Sequence, residues 1–427
     1  MTYSAAASAS PASATFNIGL VHCFDIRGNK VGGLETYLRD FVTFCPADTR
    51  VLFIGVDAVG DLEIGKITEM RFRGRSFDFL PILHYPDERA REAARKITDS
   101  ITARFAGALI RHLPTVSRAL RERHCSLDLR RVEFAWLPVL LRLPYIQMLH
   151  GEGVPRLPMD SLLQKYRLVH GLGERFAVNT SYRFLCVNPL ITERIRKTYP
   201  RRADKIDTLW TWVNTAIFRP QPFPASTVPF RIVFIGRLDA FKQPQLMFKT
   251  IARLRALMPG GVEFHYVGTS HPERFGEFEA IRDVSVCHGF KDAKGIAKVL
   301  ADAHAGILTS EFEGMPRCVL ETLAVGRPVV AVHLPQLEAV IRDGESGYLV
   351  PREQTQDQLI EALAQRFLAV RDAIAGGRID PAAVAAKIGT FTPEKQLARV
   401  YRLHRDIQRN DLPRQAGREN AEQGGVA

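Results

Sequence analysis

The sequence predicts an α/β protein made of two doubly wound, Rossmann-like domains in tandem. Three observations carry this reading. Short apolar runs alternate with amphipathic helical stretches, as parallel strands joined by crossover helices require. The 427 residues exceed what one core of usual size organises. A stretch of little periodicity, with prolines at 220, 222, 224 and 229, separates the two series. The expected organisation is a disordered tail over 1–15, a first domain over 16–209, a linker over 210–229 and a second domain over 230–391. A last helix over 392–410 and a disordered tail over 411–427 follow.

In the first domain, Phe16 to Val21 reads as a strand, Asp25 to Gly33 as a polar glycine loop and Leu34 to Phe44 as a helix whose start takes Glu35. Val51 to Val56 is the next strand. A basic helical segment, Glu88 to Arg131, follows, then a strand from Tyr145 to Leu149 that ends at His150-Gly151. Leu162 to Phe176 is helical, and Phe184 to Val187 is a short strand before Asn188-Pro189. The stretches 71–88 and 151–160 read as loops without a pattern.

The second domain starts cleanly. Strands are expected at Arg231 to Ile235, Val262 to Val267, Val284 to Cys287, Ala305 to Leu308, Pro328 to Val332 and Gly347 to Val350. Helices fall at Pro244 to Leu257, Lys294 to Ala303, Thr355 to Ala375 and Thr392 to Gln408.

The densest chemistry lies between Ser310 and Val330. A strand runs into a polar loop, and the loop opens a helix with Glu313 before it and Glu321 inside it. Pro316 suits a first helical position, where its missing N–H costs nothing, and Gly326 with Pro328 ends the helix. The amides of Met315, Arg317 and Cys318 would then point to the carboxyl end of a parallel sheet, an anion site most natural for phosphate. Glu313 and Glu321 are placed to grip hydroxyls on either side. Such a loop reads as a sugar-nucleotide site.

Composition sets limits. The 46% hydrophobic and 24% charged residues are those of an ordinary globular protein. Cys23, Cys45, Cys125, Cys186, Cys287 and Cys318 are scattered singly, against a zinc site or disulfide framework and for a reduced, cytoplasmic setting. The uncharged Ala/Ser-rich start lacks the basic and apolar parts of a secretory signal, and no apolar run is long enough to span a bilayer. The formal charge is +12, and residues 88 to 131 hold eleven Arg/Lys against five Asp/Glu. Within that segment Ile97, Ile101, Phe105, Leu109, Leu113, Val116 and Leu120 recur at helical spacing. The stripe has two readings: a face turned to the core, or a basic amphipathic surface lying on anionic membrane at the inner face of the cell.

With these elements placed, the chain resembles family 4 of the retaining glycosyltransferases over roughly residues 16 to 408. The resemblance rests on the E-x7-E signature from Glu313 to Glu321, set among Ser310, Gly314, Pro316, Gly326 and Pro328-Val329-Val330. Gly236-Arg237-Leu238 with Lys242 is similar to the family's G-R-L-x-x-x-K loop. Val31-Gly32-Gly33-Leu34-Glu35 resembles its glycine motif, and Val213 to Pro220 its interdomain segment. Leu334-Pro335 and Met315 depart from the usual pattern and bear on the pocket for the transferred sugar.

The resemblance implies the GT-B fold, two doubly wound domains facing across a cleft, with the last helix crossing back to the first domain. It implies a retaining transferase that moves a sugar from a UDP- or GDP-linked donor to a saccharide or lipid-linked acceptor, in cell-surface or exported polysaccharide or glycolipid synthesis. Arg237 and Lys242 would clamp the diphosphate, aided by the backbone of Gly32, Gly33, Gly314, Met315 and Arg317. Glu321 would accept from the ribose hydroxyls and Glu313 from the sugar, with His150 positioning the donor and stabilising an oxocarbenium-like state. No D-x-D segment sits at a strand end, so no cofactor and no divalent metal are expected. A sugar-nucleotide epimerase of the same fold is the alternative. Nucleic-acid binding is disfavoured, because no aromatic residues interleave with the arginines.

Overall fold

Strands and helices alternate along the chain, which divides into Met1–Leu209 with Leu397–Ala427, and Trp210–Gln396. The structure, a computed structural model, describes residues 16–28, 33–86, 100–150, 167–352 and 355–423. Gly32, residues 88–99 of the basic segment, the loop over 151–160 and the start of the helix expected from Leu162 lie outside the described residues.

The N-terminal unit runs β1 (Phe16–Val21), α1 (Gly33–Thr43), β2 (Thr49–Asp57), β3 (Thr68–Phe72), β4 (Arg75–His84), α2 (Ile101–Arg111), α3 (Leu113–Glu122) and β5 (Ser126–Leu129). It continues through α4 (Trp136–Leu141), β6 (Tyr145–Leu149), α5 (Arg167–Thr180), β7 (Arg183–Cys186), α6 (Pro189–Thr198) and β8 (Ile206–Thr208). The sheet order is β3-β4-β2-β1-β5-β6-β7-β8, parallel except where β3 turns back on β4.

Two features depart from the sequence expectation here. Within the stretch expected as loop, Arg75–His84 forms β4, joined to β3 by Arg73 and Gly74, with φ of 48° and 79°. Positive φ at both positions is the type I′ geometry that matches strand twist. Residues Ser126–Leu129 were expected in the basic helical segment, yet form a strand buried along its whole length. The stripe also has its answer. Phe105, Leu109, Val116 and Leu120 are all fully buried, so these four residues of the stripe face the core. Among the described residues no helix is long and apolar enough to cross a membrane.

The C-terminal unit holds β9 (Phe230–Ile235), α7 (Pro244–Leu257), β10 (Val262–Val267), β11 (Ser285–Cys287), α8 (Ala293–Ala301), β12 (Ala305–Leu308) and α9 (Arg317–Ala324). Then come β13 (Val329–Val332), β14 (Gly347–Val350), α10 (Gln356–Ala375) and α11 (Pro381–Ala386). Its six strands are parallel, in the order β11-β10-β9-β12-β13-β14. α10 opens on a capping box in which Thr355 and Gln358 satisfy each other's backbone amides.

The proline-rich stretch is not a free linker. Val213 and Phe218 belong to the C-terminal core, and the fully buried Arg327 donates to the carbonyls of Gln221 and Pro222, each at 2.7 Å. The last helix, α12 (Pro393–Gln423), packs from Leu397 onward with the N-terminal unit and runs past the Asn410 end expected from sequence.

Candidate active site

In the C-terminal unit the chain steps from β9 outward through β10 and β11, then returns to lay β12 on the other side of β9. Strand order reverses between β9 and β12, and in open α/β sheets ligands bind beyond the carboxyl ends of strands at such a point. Two loops leave the sheet there, Gly236 to Gln243 and Thr309 to Pro316. They are stitched together: Glu311 N donates to Phe241 O at 2.7 Å, and Thr309 Oγ1 donates to Lys242 O at 2.7 Å. Gln243 Nε2 also donates to Glu311 Oε1. The glycines serve close approach, since a Cβ on Gly268 would stand 2.3 Å from Gly236 O.

The stitching brings Lys242 Nζ within 2.5 Å of Glu313 Oε1. Ser310 Oγ donates to the same oxygen at 2.9 Å, and Gln336 Nε2 donates to Glu313 O at 2.8 Å. Arg352 holds the loop from behind through Ser310 O, at 2.6 Å. Both members of the pair are largely shielded, with 13% and 14% of their side chains exposed. Burial pulls the Lys242 ammonium down, but the Glu313 carboxylate outweighs it and holds the lysine above its ordinary pKa. The site therefore carries a fixed cation at neutral pH.

α9 starts one residue later than the sequence suggested. Pro316 is the N-cap residue, with φ −69° and an extended ψ of 115°, and its carbonyl accepts from Val319 N at 3.1 Å. A proline's fixed φ suits either position, so its ψ decides which one it takes. The helix ends as expected: Gly326 has φ 82°, Gly326 N donates to Leu323 O and Arg327 N to Thr322 O, a Schellman closure. Glu321 lies within α9, 3.8 Å from Arg317 Nε one turn earlier. Met315 turns its side chain into the core, so only its backbone remains for a ligand. Burial pushes the Cys318 thiol up to about 12, which leaves it inert.

Arg237 is placed differently from the expected clamp. Its side chain is 72% exposed and grips Asp239 Oδ2 through Nη2 at 2.8 Å and Nε at 3.1 Å. Lys242 and Arg237 thus have separate carboxylate partners. Among the described residues, no three His, Cys, Asp or Glu side chains gather as a metal-sized site.

The N-terminal sheet has its own reversal, between β1 and β5. Gly33 is the exposed first residue of α1, with Glu35 in the first turn. β5 delivers Arg130 and Arg131, and β6 delivers His150. The His150 ring meets the Tyr37 ring edge to face at 5.4 Å, and the Arg130 guanidinium lies 3.7 Å from the centre of the same tyrosine ring. Burial, reinforced by Arg130 and Arg131, holds His150 well below its ordinary pKa, so the ring is neutral. Its Nε2 is buried without a hydrogen-bond partner among the described residues.

Sequence reasoning missed Gln336, Arg352 and Arg130. Gln336 follows the atypical Leu334-Pro335, and Arg130 registered only as charge. Their partners come from distant elements, so no local pattern marks them.

Residues 229–367, which contain all six strands of the C-terminal sheet together with Lys242, Glu313 and Glu321, match the family model described as Glycosyl transferases group 1. The chain is 30% identical over 178 residues to the putative colanic acid biosynthesis glycosyltransferase WcaL of Escherichia coli (strain K12), covering 39% of this chain and 42% of that one. It is 26% identical over 252 residues to a D-inositol 3-phosphate glycosyltransferase of Streptosporangium roseum, covering 54% and 57%. The chain spans about half the length of these curated relatives. Structural likeness is broader. Sucrose-phosphate synthase from Thermosynechococcus elongatus superposes with a TM-score of 0.66 at 17% identity, over 92% of this chain and 99% of that one. The lipopolysaccharide outer core galactosyltransferase WaaB gives 0.56 at 16% identity, over 91% and 99%. The fold is GT-B, with two parallel-sheet, Rossmann-like units.

Proposed function

We propose that the protein is a retaining, metal-independent glycosyltransferase that takes a sugar from a UDP- or GDP-linked donor. The observation that carries this reading is the Lys242–Glu313 pair at the β9/β12 reversal, inside the segment that matches the group 1 family. Cleavage of a nucleotide sugar builds negative charge on a diphosphate while the anomeric carbon becomes cationic. A shielded lysine that stays charged answers the first need, and the neighbouring carboxylate the second. Glu321 on α9 accepts from the ribose diol, a task suited to an acceptor-only group. The role of His150 is to position the sugar, with its neutral ring meeting a hydroxyl.

In this reading a diphosphate draws Lys242 partly away from Glu313, which turns the carboxylate toward the sugar. Arg237 exchanges Asp239 for phosphate oxygens, a modest cost because the existing pair is exposed. The acceptor is a saccharide or a lipid-linked acceptor in cell-surface or exported polysaccharide or glycolipid synthesis, and the colanic acid relative's name supports the polysaccharide branch. We take the work to be cytoplasmic, a reading supported by the singly scattered, unpaired cysteines.

Isothermal titration with UDP and GDP, with and without magnesium, tests the donor class. A hydrolysis screen over common UDP- and GDP-sugars then identifies the sugar. Binding without magnesium, and slow release of one sugar with its anomeric configuration retained, is the expected outcome. No binding of either nucleotide would remove the proposal.

A further inference from the structure

His404, Asp128, Arg130 and Tyr37, all buried in the N-terminal unit, form a line that starts on the last helix and leads to His150. On α12, Tyr401 and His404 lie three residues apart and so share a face. His404 Nδ1 meets Ser126 Oγ at 2.8 Å, and its Nε2 meets Asp128 Oδ2 at 3.3 Å. The other oxygen of Asp128 lies 2.6 Å from Arg130 Nε. Arg130, His404 and Asp128 are at most 1% exposed at their side chains. Arg130 then covers the Tyr37 ring, whose neighbour edge to face is His150. Tyr401 closes the second side: its hydroxyl donates to Phe41 O, and its ring packs on Phe41 at 5.0 Å, one turn from Tyr37 on α1.

We propose that His404 and Asp128 are positioning residues for His150, so that the C-terminal helix sets the geometry of the candidate sugar-contacting imidazole. The proposal rests on the glycosyltransferase reading only for the role of His150. The linkage itself is physical. A buried arginine without an anion is costly, so Asp128 decides where Arg130 sits. An aspartate in a strand core needs partners of its own, and His404 supplies one at its free oxygen while anchoring to Ser126. Arg130 in turn stacks on Tyr37, whose ring walls the imidazole. The arrangement explains why a helix remote in sequence places a histidine, rather than an apolar residue, against a buried strand.

The test uses the full chain with isotope-labelled histidine, following the His150 imidazole resonances, assigned with His150→Gln. His404→Leu cuts the line, while His404→Gln can still bridge Ser126 and Asp128. The expected result is a moved His150 resonance in His404→Leu, largely restored in His404→Gln. Donor turnover should fall by about 10- to 100-fold in His404→Leu with KM for the donor within about twofold. If His404→Leu does not fold, the isosteric Asp128→Asn replaces it, with the same expected movement. A folded His404→Leu or Asp128→Asn with an unmoved His150 resonance overturns the proposal. A moved resonance in a protein that cleaves no nucleotide sugar leaves the linkage standing and removes the transferase reading instead.

Discussion

Replacing Lys242 by methionine keeps most of the stem and removes the ammonium. The ammonium lies 2.5 Å from Glu313 Oε1, and both side chains are about nine-tenths shielded from water, at 13% and 14% exposure. Breaking a fully buried pair costs about 3–5 kcal/mol. Glu313 retains the Ser310 hydroxyl at 2.9 Å and some solvent, so the loss here scales to about 1–3 kcal/mol. For a unit of this size that lowers the melting temperature by about 3–10 °C. The pH sign follows from the raised pKa of Lys242. Its stabilisation is complete below the unfolded lysine value, about 10.4, and is lost as pH rises through the higher folded value. The gap between wild type and variant should therefore close as pH rises on the alkaline side. Donor turnover should fall roughly a hundredfold, about 3 kcal/mol of transition-state stabilisation. Thermal melting across pH, titration with UDP and GDP, and nucleotide-sugar hydrolysis measure each part. A variant with wild-type melting, and with affinity and turnover within about twofold of wild type, would refute the reasoning.

Other outcomes follow from single contacts. Asp239→Ala frees the exposed Arg237 fork, so UDP or GDP should bind up to about fivefold tighter by calorimetry, an exposed pair being worth at most about 1 kcal/mol; Arg237→Ala should weaken binding instead. His304 is held neutral, with Nδ1 accepting from Arg231 N at 2.9 Å and Nε2 donating to Ser226 O at 3.0 Å. Burial lowers its pKa to about 4, below the unfolded value of about 6.5. Its contribution is complete above about pH 6.5 and is lost as pH falls toward 4, up to about 3 kcal/mol, so melting should drop over that window and His304→Asn should flatten the curve. Gly326→Ala should cost more than about 2 kcal/mol in melting experiments, because φ is 82° and the new Cβ would stand 2.6 Å from Pro381 Cβ and Pro381 O.

Much of the fold was legible locally. The strands Phe16–Val21, Tyr145–Leu149, Val262–Val267, Ala305–Leu308 and Gly347–Val350 coincide with their sequence expectation. Most of their residues are apolar and sit in a parallel sheet, where hydrophobicity marks the element, while Val262–Val267 alternates with the half-buried Glu263 and His265. The Ser126–Leu129 strand was hidden by its serine and aspartate, which look polar until α12 brings their partners. The β3–β4 hairpin was hidden by an Arg-Gly turn, a weaker signal than Asn-Gly.

The candidate site divides along the same line. Loop and helix grammar around Glu313 to Pro328 is local chemistry: a polar loop, a proline at a helix start, a glycine that alone takes the left-handed turn. Those the sequence determined by itself, along with the alternation that makes two wound sheets. Pairing was decided by tertiary structure. Lys242 meets Glu313 because strand order reverses between β9 and β12, Arg237 turns to Asp239, and Arg130 finds Asp128 and Tyr37 in the N-terminal core. Charge partners are chosen by distance in space and by what burial demands of an ion, and a linear chain records neither.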